Sequence, residues 1–388
     1  MRTEKYILCF GFFILISFPV INNLLNIVKP ASNTENRALK VMPKTDTCSV
    51  DTYIKGLEGF LIDHTSIRNY AIRFHNKLNV FVFRSSPVNV EAFIGKDGWY
   101  YFSGEELKTF VGTELFTEKE LGEFKNEMLR RKDIIEEKHN SHLFVAIVPN
   151  KANIYPEFMP DHIIRSETGG YGKQILNYLT KNGISTIDLY EPLTKAKQTH
   201  AVYYKTDNHW NDFGAFIASN VILKEFRKVE PKVQELDVNS YKVKRVEEKA
   251  GDIAKMLSVE DVLSDENYIP IPLLGEKSHQ MDQNKYKCIK DFAYPWEYEH
   301  TRYTNNDSLP TILIIRDSFG AKPFKYISEQ SKKCITIFDA WHYGLNEEII
   351  ASEKPDIILY LILESQLKNL MKYQKAEKGL IVTDSASQ

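Results

Sequence analysis

Four cysteines are spread through 388 residues. Cys9, Cys48, Cys288 and Cys334 form no CxxC pair and no Cys/His ligand spacing, so a cysteine-based metal site is excluded. One disulfide among the last three would suit an oxidising compartment, and buried free thiols would suit the spacing equally well. An excess of either charge is also missing. Lys and Arg number 50 against 52 Asp and Glu, a formal net charge of −2. That balance removes a global basic signal for nucleic acid and any acidic-tail reading. No HExxH, no GxSxG, no internal repeat and no low-complexity tract occurs. What remains is a chain with 43% hydrophobic and 26% charged residues, which can bury a core.

The first 28 residues carry one long apolar run, Tyr6 to Ile21, behind Arg2 and Lys5. A positive flank and an apolar run are the layout of a signal sequence. No small-x-small cleavage site follows, so an uncleaved membrane anchor helix over 1–28 is expected, with a cleaved signal peptide as the alternative. The flanking positive charges put the remainder outside the cytoplasm, in the periplasm or at the cell surface. Residues 29–58 read as a linker with Pro30 and Pro43.

Beyond it, a main domain is expected over 59–368 and a flexible polar tail over 369–388. The stretch 60–83 has helical apolar spacing. "FIGKDGWYYF" (93–102) sets apolar arms around Lys96-Asp97-Gly98, a hairpin signal. Thr117 with Glu120 makes a capping box before a helix to about His139. Apolar runs at 142–150, 184–189, 311–315, 334–338 and 356–363 read as strands, separated by helical segments that include 171–182, 213–226 and 346–353. Alternation of this kind predicts an α/β fold with a central parallel sheet. Residues 229–309 lack the rhythm and read as an insertion or cap.

Open α/β sheets bind ligands beyond the C-terminal strand ends. Two polar clusters fall there. In "RDSFG" (316–320), Ser318 occupies a strand-to-helix turn, where its hydroxyl can be exposed and the next helix offers free N–H groups to an oxyanion. The alternative is that Ser318 or Asp317 only caps that helix. In "KTDNHWND" (205–212), Asp207 and His209 stand two apart. A serine nucleophile needs a histidine base, and the base needs an acid to orient it. Asp207 or Asn208 could instead cap the helix starting near Asn211. His200, Asp207 and His209 offer ligand atoms but no metal-binding spacing, so no metal is expected. Lys151, Arg316, Asp317, Tyr204 and Trp210 are candidates for substrate binding, with core packing or internal pairing as the alternative for each. Glu364, at a strand end, reads as structural.

The motifs "ENRAL", "FLIDHTSIR", "GKDGWYYF", "VPNKANIYPE", "YYKTDNHWNDFGAF" and "RDSFG" occur here in an order that resembles the alginate O-acetyltransferase (AlgJ/AlgX) family of SGNH-hydrolase-like proteins, over roughly residues 35–365. The resemblance implies a three-layer SGNH-type fold and a triad of Ser318, His209 and Asp207, with the Asp–His pair preceding the serine. It implies acetyl transfer through a serine acyl-enzyme to hydroxyls of an exported polysaccharide, with a membrane-bound O-acyltransferase as partner. A serine triad calls for no cofactor. "LESQ" at Glu364 departs from the acid–arginine pair expected there. With no carbohydrate-binding module before residue 388, the chain resembles the shorter members. The same triad would serve a carbohydrate esterase, and a non-catalytic polysaccharide-binding scaffold is the alternative of another class.

Overall fold

The computed structural model describes residues 2–25, 27, 39–44, 49–65, 68–87, 90–167, 169–281, 285–288, 292, 294–339 and 342–372. "ENRAL" up to Ala38, Cys48, much of the expected linker and most of the expected tail lie outside these residues. Two compact units divide the chain: residues 1–94 with 252–263, and residues 95–251 with 264–388.

The first unit is helical over Arg2–Leu25, Val50–His64 and Arg68–Lys77. Ser49 caps the second of these, its side chain accepting from the Thr52 N–H. This helix begins inside the stretch expected to be linker. In Arg2–Leu25 the side chains of Tyr6, Ile7, Leu8, Phe10, Phe12, Phe13 and Ile14 are exposed. Among the described residues no helix is long and apolar enough to cross a membrane, so the expected single-pass span has no structural support. Its apolar run is interrupted by Ser17 and Pro19 and ends at Asn22-Asn23, short of the ~20 apolar residues a span needs.

The second unit is built on a seven-stranded sheet. Its strands are β1 (His142–Val148), β2 (Thr186–Asp188), β3 (His279–Gln280), β4 (Glu299–Tyr303), β5 (Thr311–Arg316), β6 (Lys333–Phe338) and β7 (Ile357–Leu363). They lie in the order β2-β1-β7-β5-β6-β4-β3. β2, β1, β7, β5 and β6 run parallel. β4 and β3 add antiparallel to that edge. The expected parallel strands form the body of the sheet, and two antiparallel strands make it mixed. The reason lies in residues 229–309. Part of this stretch is the separate hairpin Tyr241–Lys249/Ser264–Pro272, but β4 alternates buried with half-buried or exposed residues, the mark of an antiparallel strand covered on one face.

Every residue of the central β7 is buried, which is why its sequence is an unbroken apolar run. One sheet face, including Val145, Ile147, Leu313, Ile315, Tyr360 and Ile362, packs on helices Glu118–Asp133 and Gly170–Lys181 through Phe124, Met128, Tyr171 and Ile175. On the other face Phe144 meets Phe226 of helix Asp212–Phe226, ring centroids 5.1 Å apart. The capping box at Thr117 and Glu120 is formed in full. The tight turn of "GKDG" forms too: Asp97 and Gly98 have φ of 52° and 77°, and the Gly95 N–H reaches the Trp99 carbonyl at 2.7 Å. Among the described cysteines, Cys9, Cys288 and Cys334 are free thiols.

Helix Asp212–Phe226 is capped by Asn211, whose side chain accepts from the Gly214 N–H at 2.9 Å. Its amide also donates to the Ala201 carbonyl at 2.6 Å. The cap is thus neither Asp207 nor Asn208, and both are left for other work. Asn211→Ala is expected to lower unfolding free energy by about 1–2 kcal/mol, losing one cap and orphaning one carbonyl. A urea midpoint unchanged from the parent would show the cap to be dispensable.

Candidate active site

The parallel strands β1, β5, β6 and β7 all end at one sheet edge, and the polar clusters gather there. The Arg316 end of β5 leads into a single tight turn, Ser318–Gly320, before helix Ala321–Ile327. Asp317 caps this turn, its carboxylate accepting from the Phe319 N–H at 2.8 Å. The other carboxylate oxygen accepts from Tyr343 Oη at 2.6 Å and from the Leu363 N–H at 2.7 Å. Asp317 is fully buried, and desolvation raises its pKa above the ordinary value. The residue before the serine therefore fixes the turn by bonding to two neighbouring segments. The Gly320 N–H goes to the Asp317 carbonyl at 3.2 Å. The expectation that N–H groups beyond Ser318 stand free is corrected accordingly, since those of Phe319 and Gly320 are committed to Asp317.

The loop before helix Asp212–Phe226 supplies the other two groups. Asp207 folds back on its own chain: Oδ1 accepts from the His209 N–H at 2.9 Å and lies 2.6 Å from His209 Nδ1. His209 Nε2 lies 2.8 Å from Ser318 Oγ. With Nδ1 protonated toward the carboxylate, the Nε2 lone pair faces the serine hydroxyl. Phe319 packs against the imidazole, ring centroids 4.7 Å apart. Trp210 donates Nε1–H to the Phe319 carbonyl at 3.0 Å, tying the loop directly to the serine turn.

The remaining candidates face inward. Lys151 is fully buried. Its ammonium donates to the carbonyls of Tyr204, Lys205 and Asp207 at 3.3, 3.1 and 2.7 Å. Burial depresses its pKa to about 8, opposed by the negative charges of Glu106, Asp207 and Asp265. Arg316 is fully buried and donates to the Asp317 carbonyl and to the Glu297 carbonyl and carboxylate. Tyr204 is buried, with its hydroxyl on Glu248 at 2.9 Å. Trp210 is fully buried. Lys151, Arg316, Asp317, Tyr204 and Trp210 are candidates for substrate binding with packing or internal pairing as the alternative, and each makes contacts of the second kind. His200 lies apart from the pair in its contacts, its ring against Tyr268 and Phe213.

Several supporting residues carry no sequence signal. Asp265 accepts from the Lys205 and Thr206 N–H groups and from the Thr206 hydroxyl. Thr206 Oγ1 accepts in turn from the Gly251 N–H at 2.7 Å. A Cβ at Gly251 would stand 2.2 Å from that of Asp207, so only glycine lets the acid approach. Glu364 is buried among Tyr190, Asn150 and Asn153, all donating to it. Desolvation raises its pKa to about 7. Glu106 is buried beside the Asn208 side chain. Burial raises its pKa to about 8, with Lys151 pulling the other way.

Glu106 generates a pH prediction. Its folded pKa lies above the unfolded value of about 4.3, so the folded state binds the extra proton. Stability is then highest at low pH on this account and falls as pH rises from about 4.5 to 8. Glu106→Gln mimics the protonated acid. It should leave Tm nearly unchanged at pH 5 and raise it at pH 9. Equal Tm values at pH 9 would rule out a buried, neutral Glu106.

Residues 92–271 match the family model described as the SGNH hydrolase-like domain of acetyltransferase AlgX. Probable alginate O-acetylase AlgJ of Pseudomonas syringae pv. tomato is 30% identical over 187 residues, 46% of this chain and 44% of that protein. Alginate biosynthesis protein AlgX of Pseudomonas aeruginosa is 28% identical over 159 residues, 39% of this chain and 31% of that protein. The matched stretch thus spans less than half the length of either relative. The solved structure of Bacillus cereus PatB1 with a sulfonyl adduct is similar in fold, with a TM-score of 0.51, 17% identity, and coverage of 70% of this chain and 96% of that one. Over residues 92–271, which carry β1, β2 and the loop with Asp207 and His209, the chain is similar to the SGNH hydrolase-like domain of acetyltransferase AlgX.

Proposed function

We propose that this protein is an O-acetyltransferase that moves an acetyl group through a Ser318 acyl-enzyme to a hydroxyl of an exported polysaccharide. The observation that carries the proposal is the continuous path Asp207–His209–Ser318, with contacts of 2.6 and 2.8 Å. In the first half-reaction His209 Nε2 takes the Ser318 proton as Oγ attacks the acetyl carbonyl of the donor. The imidazolium, held by Asp207, returns that proton to the leaving oxygen. In the second half-reaction a sugar hydroxyl gives its proton to His209 and attacks the acetyl-serine. The ester passes to the sugar, and Ser318 regains its hydroxyl. The Ser318 N–H is the backbone donor assigned to the oxyanion. Lys151 acts as a positioning residue, because its ammonium holds three carbonyls of the loop that carries Asp207 and His209.

The SGNH-type three-layer arrangement belongs to the same reading, supported by helices on both sheet faces. So does a catalytic domain over 59–368. A membrane-bound O-acyltransferase that delivers the acetyl group is the expected partner, and nothing in the site needs a cofactor. Attachment to the outer face of the cytoplasmic membrane rests on the exposed apolar row of helix Arg2–Leu25. Its test is fractionation: replacement of residues 2–25 by a cleavable signal peptide, which keeps export, should shift the protein from the membrane to the soluble extracytoplasmic fraction. An unchanged distribution would remove the helix from that task.

The chemical test is an assay of the purified protein with an acetyl-ester donor and oligosaccharides. Ser318→Ala is expected to reduce acetylated sugar by at least about 10³-fold. Lys151→Met should lower kcat with KM little changed, as expected for misplacement of the base. Acetate released with no acetylated sugar would make the protein an esterase. Polymer acetylation unaffected by Ser318→Ala would leave only a binding or scaffolding role.

A further inference from the structure

Two aromatic side chains stand exposed where the core has no use for them. Trp296 is 65% and Tyr294 43% solvent-exposed. Their rings meet edge to face, centroids 5.8 Å apart and planes at 88°. Tyr294 also lies parallel to Phe338 at the end of β6, 6.4 Å between centroids. Single exposed apolar side chains are ordinary on protein surfaces. This pair differs because its backbone is fixed. Trp296 is the middle residue of the turn Pro295–Glu297. The next residue, Glu297, accepts from the buried Arg316 guanidinium through both its carbonyl, at 3.1 Å, and its carboxylate, at 3.0 Å. Arg316 stands two residues before Ser318.

Topology puts the turn on the same edge as the serine. β4 runs antiparallel to β6, with Glu299 opposite Ile337, and the Phe338 N–H bonds the Tyr298 carbonyl at 2.8 Å. The start of β4 therefore lies beside the end of β6. Phe338 in turn pairs with Arg316 at the end of β5. At about 4.8 Å per strand, the aromatic turn begins roughly 10 Å from the strand end that delivers Ser318.

We propose that Tyr294 and Trp296 form a saccharide platform that lays the acceptor chain against the serine edge. The occupant follows from the chemistry of both parts. A flat aromatic face with a polar rim suits a pyranose ring, which is apolar on its C–H face and polar at its edge. The neighbouring serine needs a hydroxyl acceptor, which a sugar chain carries on every residue. Arg316 acquires a purpose that its burial denies it as a direct ligand: its charge is spent on mounting the platform. The inference rests on the proposed acyl-transfer reading only for the identity of the occupant.

Its test is binding, separate from chemistry. Oligomannuronate and cello-oligosaccharide hexamers are titrated into the full chain and into Ser318→Ala, with intrinsic tryptophan fluorescence and NMR line broadening of the sugar as readouts. At least one hexamer is expected to bind both proteins alike. Trp296→Ala should weaken that binding by about 3- to 10-fold, the worth of one stacked ring, with Tm unchanged. Trp296→Phe should recover part of it. Binding equal to the parent in Trp296→Ala, or no binding of either hexamer to the parent, overturns the platform. Acetylation unaffected by Ser318→Ala, with sugar binding still lost in Trp296→Ala, would instead sink the acyl-enzyme and keep the platform.

Discussion

One buried ammonium organises the loop on which the candidate site depends. Lys151 enters just past the end of β1 and donates to three carbonyls between Tyr204 and Asp207. Taking a lysine out of water is costly unless its charge is met. Here it is met by carbonyl dipoles and by the nearby carboxyl groups of Glu106, Asp207 and Asp265. Those bonds leave the loop little freedom, because the carbonyls must all converge on one nitrogen. Asp207 then lies 2.6 Å from His209 Nδ1, and His209 Nε2 lies 2.8 Å from Ser318 Oγ. A loop held only by its own turns would fray on a surface, and a base placed ~1 Å too far from its nucleophile loses much of its effect.

The serine turn is over-determined in the same way. Asp317 spends its carboxylate on Phe319, Tyr343 and Leu363, thereby joining the turn to β7 and to the segment after β6. Trp210 adds the bond between the two halves of the site. Ser318 and the Asp207–His209 pair thus come from segments more than a hundred residues apart. Each is braced by bonds of its own, and Trp210 joins the two.

Much of this was legible in the chain. β1, β5, β6 and β7 are buried on both faces, so their apolar runs stand out from any background. Asp207, His209 and Ser318 stood out because a serine nucleophile calls for a histidine base and an orienting acid, although only Ser318 follows a strand end, while the pair lies on a loop before a helix. The opposite held for β4 and for the supports. "EHTRY" has no apolar run, because an antiparallel strand covered on one face needs little hydrophobicity. Gly251 serves Asp207 from more than forty residues away, and Glu106 sits on a short helix like any surface glutamate. Contacts made through space leave no periodicity to read. The same blindness made Lys151, Arg316 and Trp210 look like ligand contacts. A polar or aromatic residue at a strand end carries the same letter whether it faces solvent or the core.

The inward commitment of those five residues has a consequence for how any acceptor is held. If Tyr204 and Trp210 cannot stack on a sugar and Lys151 and Arg316 cannot reach an anionic group, recognition must fall to side chains that the brace leaves outside. At this edge the exposed aromatic pair on the Pro295–Glu297 turn meets that condition, and the turn is mounted on Arg316. The arrangement separates two demands that conflict. The proposed triad needs a rigid setting, whereas a polymer acceptor must slide past and leave. Burying the charges to hold the triad, and leaving weakly stacking rings to hold the chain, lets tight geometry coexist with loose binding of the acceptor.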